Sequence, residues 1–266
     1  SFWAILGIVC NFLLFLTTVK TKSMRATYNI LIALCAIGDI FHEFGTLAQF
    51  PLLFNIYVEI DSDLCNIFMF LPEMGIAIGC ACILCVGLDR MISVTFSTQY
   101  RSFNKVHYHL VLSSLIGGSC LYVTCLMIFS YQERRTTCEI LTPFLNKGIL
   151  QFAHATLLIN MASVLVYFMT WLSLRSQSSS ISMTRIVRAL FIIVSVDVCG
   201  WLVTPGLFRL FQNLGFNDQE MFAWGFFSKI FINIALSVKI FIYYYTSSEY
   251  RSAIKANLPY KKKPTV

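Results

Sequence analysis

Five ionisable side chains stand where a soluble protein would seldom put them. Asp39, Glu73, Asp197, Lys229 and Lys239 each interrupt a long apolar run. A lone charge at the centre of a bilayer costs at least about 2.5 kcal/mol, so such groups pair, meet water or line an ion or proton path. A second feature is the stretch Cys65–Val94, which opens on a cysteine, carries Glu73 inside, and closes on Asp89-Arg90. Other chemistry is poorly supported. Cys80, Cys82 and Cys85 superficially resemble metal-ligand spacing, but on a helix positions 80 and 82 point about 200° apart. His42, His107, His109 and His154 group with neither a Ser or Cys nucleophile nor a zinc spacing, and HExxH is absent. The expectation is a protein that is no enzyme and holds no metal or cofactor.

The elements that position these residues follow from composition. The 266 residues are 57% hydrophobic and 12% charged, with mean hydropathy +0.71; soluble domains carry about 25% charged residues. Seven runs are long and apolar enough to span a bilayer: Phe2–Val19, Tyr28–Tyr57, Cys65–Val94, Tyr108–Tyr131, Gly148–Leu174, Arg188–Leu210 and Met221–Tyr245. The third alone, about 24 residues from its cysteine to Asp89, rises roughly 36 Å as a helix. Pro51, Pro72 and Pro205 fall inside spans, where each frees a carbonyl that the bundle must satisfy. The fold class expected is all-α: a seven-helix membrane bundle over residues 1–246, its first span clipped, in a chain read as part of a longer protein.

A net charge of +7 could suggest nucleic acid, but the basic residues sit in short loops between apolar runs, so no nucleic-acid partner is expected. Lys20, Lys22, Arg25, Arg90, Arg101, Lys105, Arg175, Arg185, Arg188, Arg251, Lys255 and Lys261–Lys263 fall on one side, against Arg134, Arg135 and Lys147 on the other. Positive loops face the cytoplasm, which places the C-terminus inside and the N-terminus outside. Eight of the ten cysteines lie within spans and read as small buried hydrophobes. Cys65 and Cys138 are left at the outer, oxidising face, where a disulfide is the natural reading. Beyond span seven, residues 247–266 read as a short cytoplasmic amphipathic helix followed by a polybasic tail. Tyr250, Ile254 and Leu258 recur on one face, and Lys261–Lys263 favour anionic lipid.

Taken together, these spacings resemble the rhodopsin-like G protein-coupled receptors, and in texture the nematode chemosensory serpentine receptors. Asn11 and Asp39 stand where that family keeps a buried Asn and Asp, and Ala36-Ile37-Gly38-Asp39 is similar to its Leu-Ala-x-x-Asp. Cys65 lies 24 residues before Asp89, as in the family's third span, and Asp89-Arg90-Met91 is its Asp-Arg-Tyr with Met for Tyr. The run from Tyr243 to Arg251 resembles the junction of span seven with an eighth, interfacial helix. The departures are Lys239-Ile240-Phe241-Ile242-Tyr243 for Asn-Pro-x-x-Tyr, and Cys199-Gly200-Trp201-Leu202-Val203-Thr204-Pro205 for Cys-Trp-x-Pro. Spans four and five lack the family's Trp and Pro.

The resemblance implies a plasma-membrane receptor, chemosensory or neuropeptide-like, that couples an extracellular ligand to a heterotrimeric G protein. Asp89 and Arg90 would meet the G protein, and span six would hinge near Trp201 and Pro205. Glu73 and Lys229, each about two turns inside the outer face, either stand solvated separately in an open vestibule, or pair, or read a zwitterionic or acidic ligand together. Asn11, Asp39, Lys239 and Tyr243 form the expected buried switch. In the family a sodium ion lies between the positions of Asp39 and Lys239, so the lysine ammonium is expected to replace it. Two other arrangements remain open: Lys239 reaching the cytoplasmic interface, or pairing with Asp197. The opsin lysine position is occupied by Asn233, which argues against retinal. The alternative function is a transporter or channel using Glu73, Asp197, Lys229 and Lys239, against which no inverted repeat is visible.

Overall fold

The computed structural model describes residues 2–54, 59–144, 147–176 and 181–257. In chain order these form α1 (Phe2–Lys20), α2 (Thr27–Phe54), β1 (Glu59–Asp61), α3 (Ser62–Thr95), α4 (Ser97–Ser102), α5 (Lys105–Ser130), β2 (Arg135–Thr137), α6 (Lys147–Ser176), α7 (Ile181–Asn213), α8 (Asp218–Ser237), α9 (Lys239–Thr246) and α10 (Ser248–Asn257). Seven stretches are long and apolar enough to cross a membrane, α8 and α9 together making the seventh. Helices are what apolar runs become where no water can satisfy a backbone. The chain is a seven-helix transmembrane bundle. Tyr57, Leu258 and Lys261–Lys263 lie outside the described residues.

Starts and turns are set locally. The side chain of Asn104 accepts from the Val106 N–H to begin α5, and Asn217 and Glu220 form a reciprocal capping box at α8. Between α7 and α8, Gly215 takes φ +77°, where a Cβ would be strained. Helix α3 runs through the middle, packing on α2, α5, α6 and α7. The outer faces of α5 and α6 carry exposed Leu115, Phe129, Leu158 and Leu165, as lipid-facing helices do.

The tightest seam joins α2 to α3. A Cβ added at Gly75 would lie 2.5 Å from both the Gly38 carbonyl oxygen and the His42 backbone nitrogen. Neither backbone atom can move aside cheaply, so small residues let the two helices approach here. Gly75→Ala should therefore destabilise the bundle by about 1–3 kcal/mol. The same change at Gly117, where nothing lies within 4 Å, should stabilise slightly through helix propensity. Thermal unfolding of the two variants checks the contrast; equal shifts would remove the close approach as a structural requirement.

Three features depart from the sequence reading. Glu59–Asp61, which falls between the second and third runs, pairs antiparallel with Arg135–Thr137, placing Asp61 opposite Arg135. Helix α7 begins at Ile181 rather than Arg188. The seventh span is interrupted at Val238 without Pro or Gly nearby. There Asn11 Nδ2 donates to the Leu236 carbonyl at 3.2 Å, so a side chain enters the helical hydrogen-bond ladder.

Candidate functional site

Lys239 opens α9 and is 3% exposed, between Asp39 of α2 and Asp197 of α7. Its Nζ donates to Asp39 Oδ2 at 2.7 Å and stands 3.1 Å from Asp197 Oδ2. The shorter contact is to Asp39, and the longer one to Asp197 completes the pairing of the ammonium. One buried cation thus serves two buried carboxylates on three separate spans. The contacts with Asp39 and Asp197 form together, and the ammonium does not reach out to an interface. It takes the position beside Asp39 that a monovalent cation would need, so these residues do not fit a sodium ion. A small cavity lies on one side of this triad, lined by Tyr167, Leu190, Val194 and Tyr243. Tyr243 is buried against Tyr250 of α10, ring centroids 4.7 Å apart. Asn11 does not join the triad; it ties α1 to α8 through the Gly7 and Leu236 carbonyls.

From the triad a stripe of buried polar groups climbs α2 towards Cys65: Asp39, His42 and Glu43, Thr46, Gln49. The i+3/i+4 spacing puts them on one face. His42 stacks on Trp201 at 5.7 Å. Glu43 sits against α1, where a Cβ at Gly7 would come 2.5 Å from its Oε1. Thr46 donates to Asn233 Oδ1 at 3.5 Å. Gln49 Oε1 accepts from Lys229 Nζ at 2.8 Å. One turn beyond Trp201, Pro205 has no N–H to return to the Trp201 carbonyl, which leaves α7 weakest between them.

The expected Glu73–Lys229 pair does not form. Lys229 meets Gln49 and, at 3.6 Å, Glu139 Oε2. Glu139 gets there because it follows Cys138, which the disulfide to Cys65 pins over the bundle, Cα to Cα 5.4 Å. Glu73 is fully buried on α3, its carboxylate without a hydrogen-bond partner. It follows Pro72, which packs where Gly45 leaves room. Sequence reasoning did not single out Glu43, Gln49 or Glu139. The first two were marked by polar spacing within the second span; Glu139 carried no signal beyond adjacency to Cys138.

At the opposite end of α3, Asp89 and Arg90 are buried. Both Nε and a terminal nitrogen of Arg90 donate to Asp89 Oδ2. Asp89 Oδ1 accepts from the hydroxyls of Tyr100 at 2.8 Å and Tyr108 at 3.0 Å. Burial, then the Asp89 charge, pushes the Tyr100 hydroxyl up to about 12, so it stays a donor. The Arg90 guanidinium lies 4.1 Å over the Tyr28 ring, and Tyr28 donates to Glu249 Oε2 of α10 at 3.4 Å. Tyr250 of α10 donates to Asn29 Oδ1 at 3.1 Å. Arg90 is therefore caged, with α10 part of the cage.

Such a layout suits switching rather than bond chemistry. Buried ion pairs on separate helices rearrange as a unit when the helices shift, and among the described residues no cluster of His, Cys, Asp and Glu could hold a metal. No curated protein matches this chain. Residues 4–258 match the family described as serpentine type 7TM GPCR chemoreceptor Srsx.

Proposed function

Because this chain belongs to the Srsx family of serpentine 7TM GPCR chemoreceptors, a class of receptors and not of enzymes, we propose that it reports an extracellular chemical ligand to a heterotrimeric G protein through Arg90. The receptor sits in the plasma membrane with the disulfide end outside, where Cys65–Cys138 is kept oxidised. Its N-terminus is then outside and its C-terminus inside. The seven spans form the transducing bundle, and α10 lies along the inner leaflet.

The observation that carries this reading is the caged Asp89–Arg90 pair at the end opposite the disulfide. A guanidinium held by Asp89 and covered by Tyr28 is withheld from a partner until the helices around it move. A ligand drives that movement only by binding the open arrangement more tightly than the closed one. Helix α7 supplies the movement by bending near Trp201 and Pro205, which opens a cleft with Arg90 at its floor. The intramembrane charges that could line an ion path are instead split between the triad, the Lys229 contacts and the isolated Glu73.

Basal nucleotide exchange on an added G protein, measured with receptor in lipid nanodiscs, tests this. Tyr28→Leu should raise exchange several-fold by uncaging Arg90. Arg90→Ala should reach the surface and exchange nothing, alone or combined with Tyr28→Leu. Full exchange in Arg90→Ala would leave that arginine a mere interfacial anchor, and ion flux through liposomes carrying the wild-type protein would favour a transporter instead.

A further inference from the structure

We propose that the ligand is an acid, and that its carboxylate is received by Lys229 and Gln49 in the place now held by Glu139. This rests on the receptor reading above and adds the chemical class that the mouth of the bundle selects.

Lys229 Nζ has three N–H groups and, among the described residues, makes one hydrogen bond, to Gln49 Oε1 at 2.8 Å. Its nearest carboxylate oxygen, Glu139 Oε2, is 3.6 Å away, close enough to attract but too far to accept. Gln49 Oε1 is turned to the ammonium, and the same amide carries a second donor group, Nε2. That Nε2 is buried without a hydrogen-bond partner on a residue 1% exposed. Reversing the amide would set two donors against each other, so the excess of N–H groups is built in. The site thus presents one positive charge, spare donors on two side chains a single amide apart, and one loosely held acceptor. A carboxylate fits that deficit, since it accepts only, carries the opposite charge, and has two oxygens for two donors. An amine would meet like charge, and a neutral polar group would leave the ammonium uncompensated.

Glu139 is an internal stand-in for such a ligand. Its side chain is 26% exposed and that of Lys229 16%, so the pair is reachable and partly hydrated, unlike the 4% exposed side chains of the Lys239 triad. Partly exposed pairs of this kind open readily. The site also lies at the top of the polar stripe on α2 that leads down to Asp39. Glu73 takes no part, for no ion pair joins it to Lys229 among the described contacts.

The test uses purified receptor in nanodiscs and a fixed set of probes: benzoate, phenylacetate, hexanoate and decanoate, each beside its methyl ester. Removing the competitor with Glu139→Gln should let the acids raise the unfolding temperature while the esters do not. The unmodified receptor should need about ten-fold more acid, the factor expected if the Glu139 pair is open about a tenth of the time. Glu139→Gln combined with Lys229→Met leaves no charge at the site and should lose the acid effect; Glu139→Gln with Lys229→Arg should keep part of it. If Glu139→Gln responds no better to acids than to esters, or the Lys229→Met combination still responds to acids, the assignment is wrong. Nucleotide exchange in the same nanodiscs separates the two readings: acid stabilisation without exchange supports the site and counts against coupling.

Discussion

Lys239→Met should remove most of the folded receptor from the cell surface. The substitution leaves Asp39 and Asp197, each 3% exposed, side by side with no cation between them. Breaking a buried pair by deleting one partner costs about 3–5 kcal/mol, and here one deletion orphans two carboxylates. Against a total stability of about 5–15 kcal/mol, that is most of the margin. The order of the single variants follows from the geometry. Asp39→Asn removes the charge behind the 2.7 Å hydrogen bond but leaves Lys239 its ion pair to Asp197, so its loss should be intermediate. Asp197→Asn leaves that bond in place and should be mildest. The double variant Asp39→Asn/Lys239→Met still orphans Asp197 and should stay poor; only the triple variant with Asp197→Asn should recover expression. Because the ammonium stands where a sodium ion would, replacing sodium by choline at equal ionic strength should not move the melting temperature of the unmodified protein. Surface labelling and thermal unfolding measure both. Normal expression of Lys239→Met, or a clear stabilisation by sodium, would show that the three groups do not act as one unit.

That recovery needs three substitutions marks the limit of what the chain discloses. The seven spans were legible because lipid leaves an apolar run few alternatives to a helix. Cys65 and Cys138 were legible because the first opens the third run at its outer end and the second lies in the loop between spans four and five. Lys239 was readable as a charge needing a partner, but hydropathy says nothing about which helix faces which. Asp39 and Asp197 therefore looked like competing choices until the packing of α2, α7 and α9 brought both to one ammonium. The polar face Asp39, His42, Thr46, Gln49 was present as spacing, yet spacing does not name what it faces. Here those neighbours are Lys239, Trp201, Asn233 and Lys229. Glu139 was out of reach for another reason. Its position depends on a loop folded inward by a disulfide and a three-residue ribbon, and loops have no periodicity to read. The break at Val238 was equally silent, since what meets the chain there is Asn11 of another helix and not Pro or Gly in its own.

Replacing Cys65 and Cys138 together by alanine should lower the unfolding temperature by about 10 °C. The bond closes a 73-residue loop, for which chain entropy predicts about 4 kcal/mol. A chain of this size shifts roughly 2–4 °C per kcal/mol. Local packing argues in the same direction: the two cysteines and Met69 form a small buried cluster under Ile60 and Ile140. The ribbon from Glu59 to Asp61 has only three residues and an exposed Asp61–Arg135 pair at 3.9 Å, too little to hold the loop alone. Treating the unmodified receptor with a reductant should reproduce the variant's melting curve, and non-reducing peptide mapping should recover the two cysteines in one linked fragment. Unchanged melting in the alanine pair would mean that the ribbon and the cluster suffice. The consequence reaches the mouth of the bundle, because Glu139 follows Cys138 directly. Once the loop is released, Glu139 no longer waits beside Lys229. The alanine pair should then bind the carboxylate probes as tightly as Glu139→Gln does, although it is the less stable protein. Gain of acid affinity together with loss of stability is the combined result that a tethered internal competitor requires.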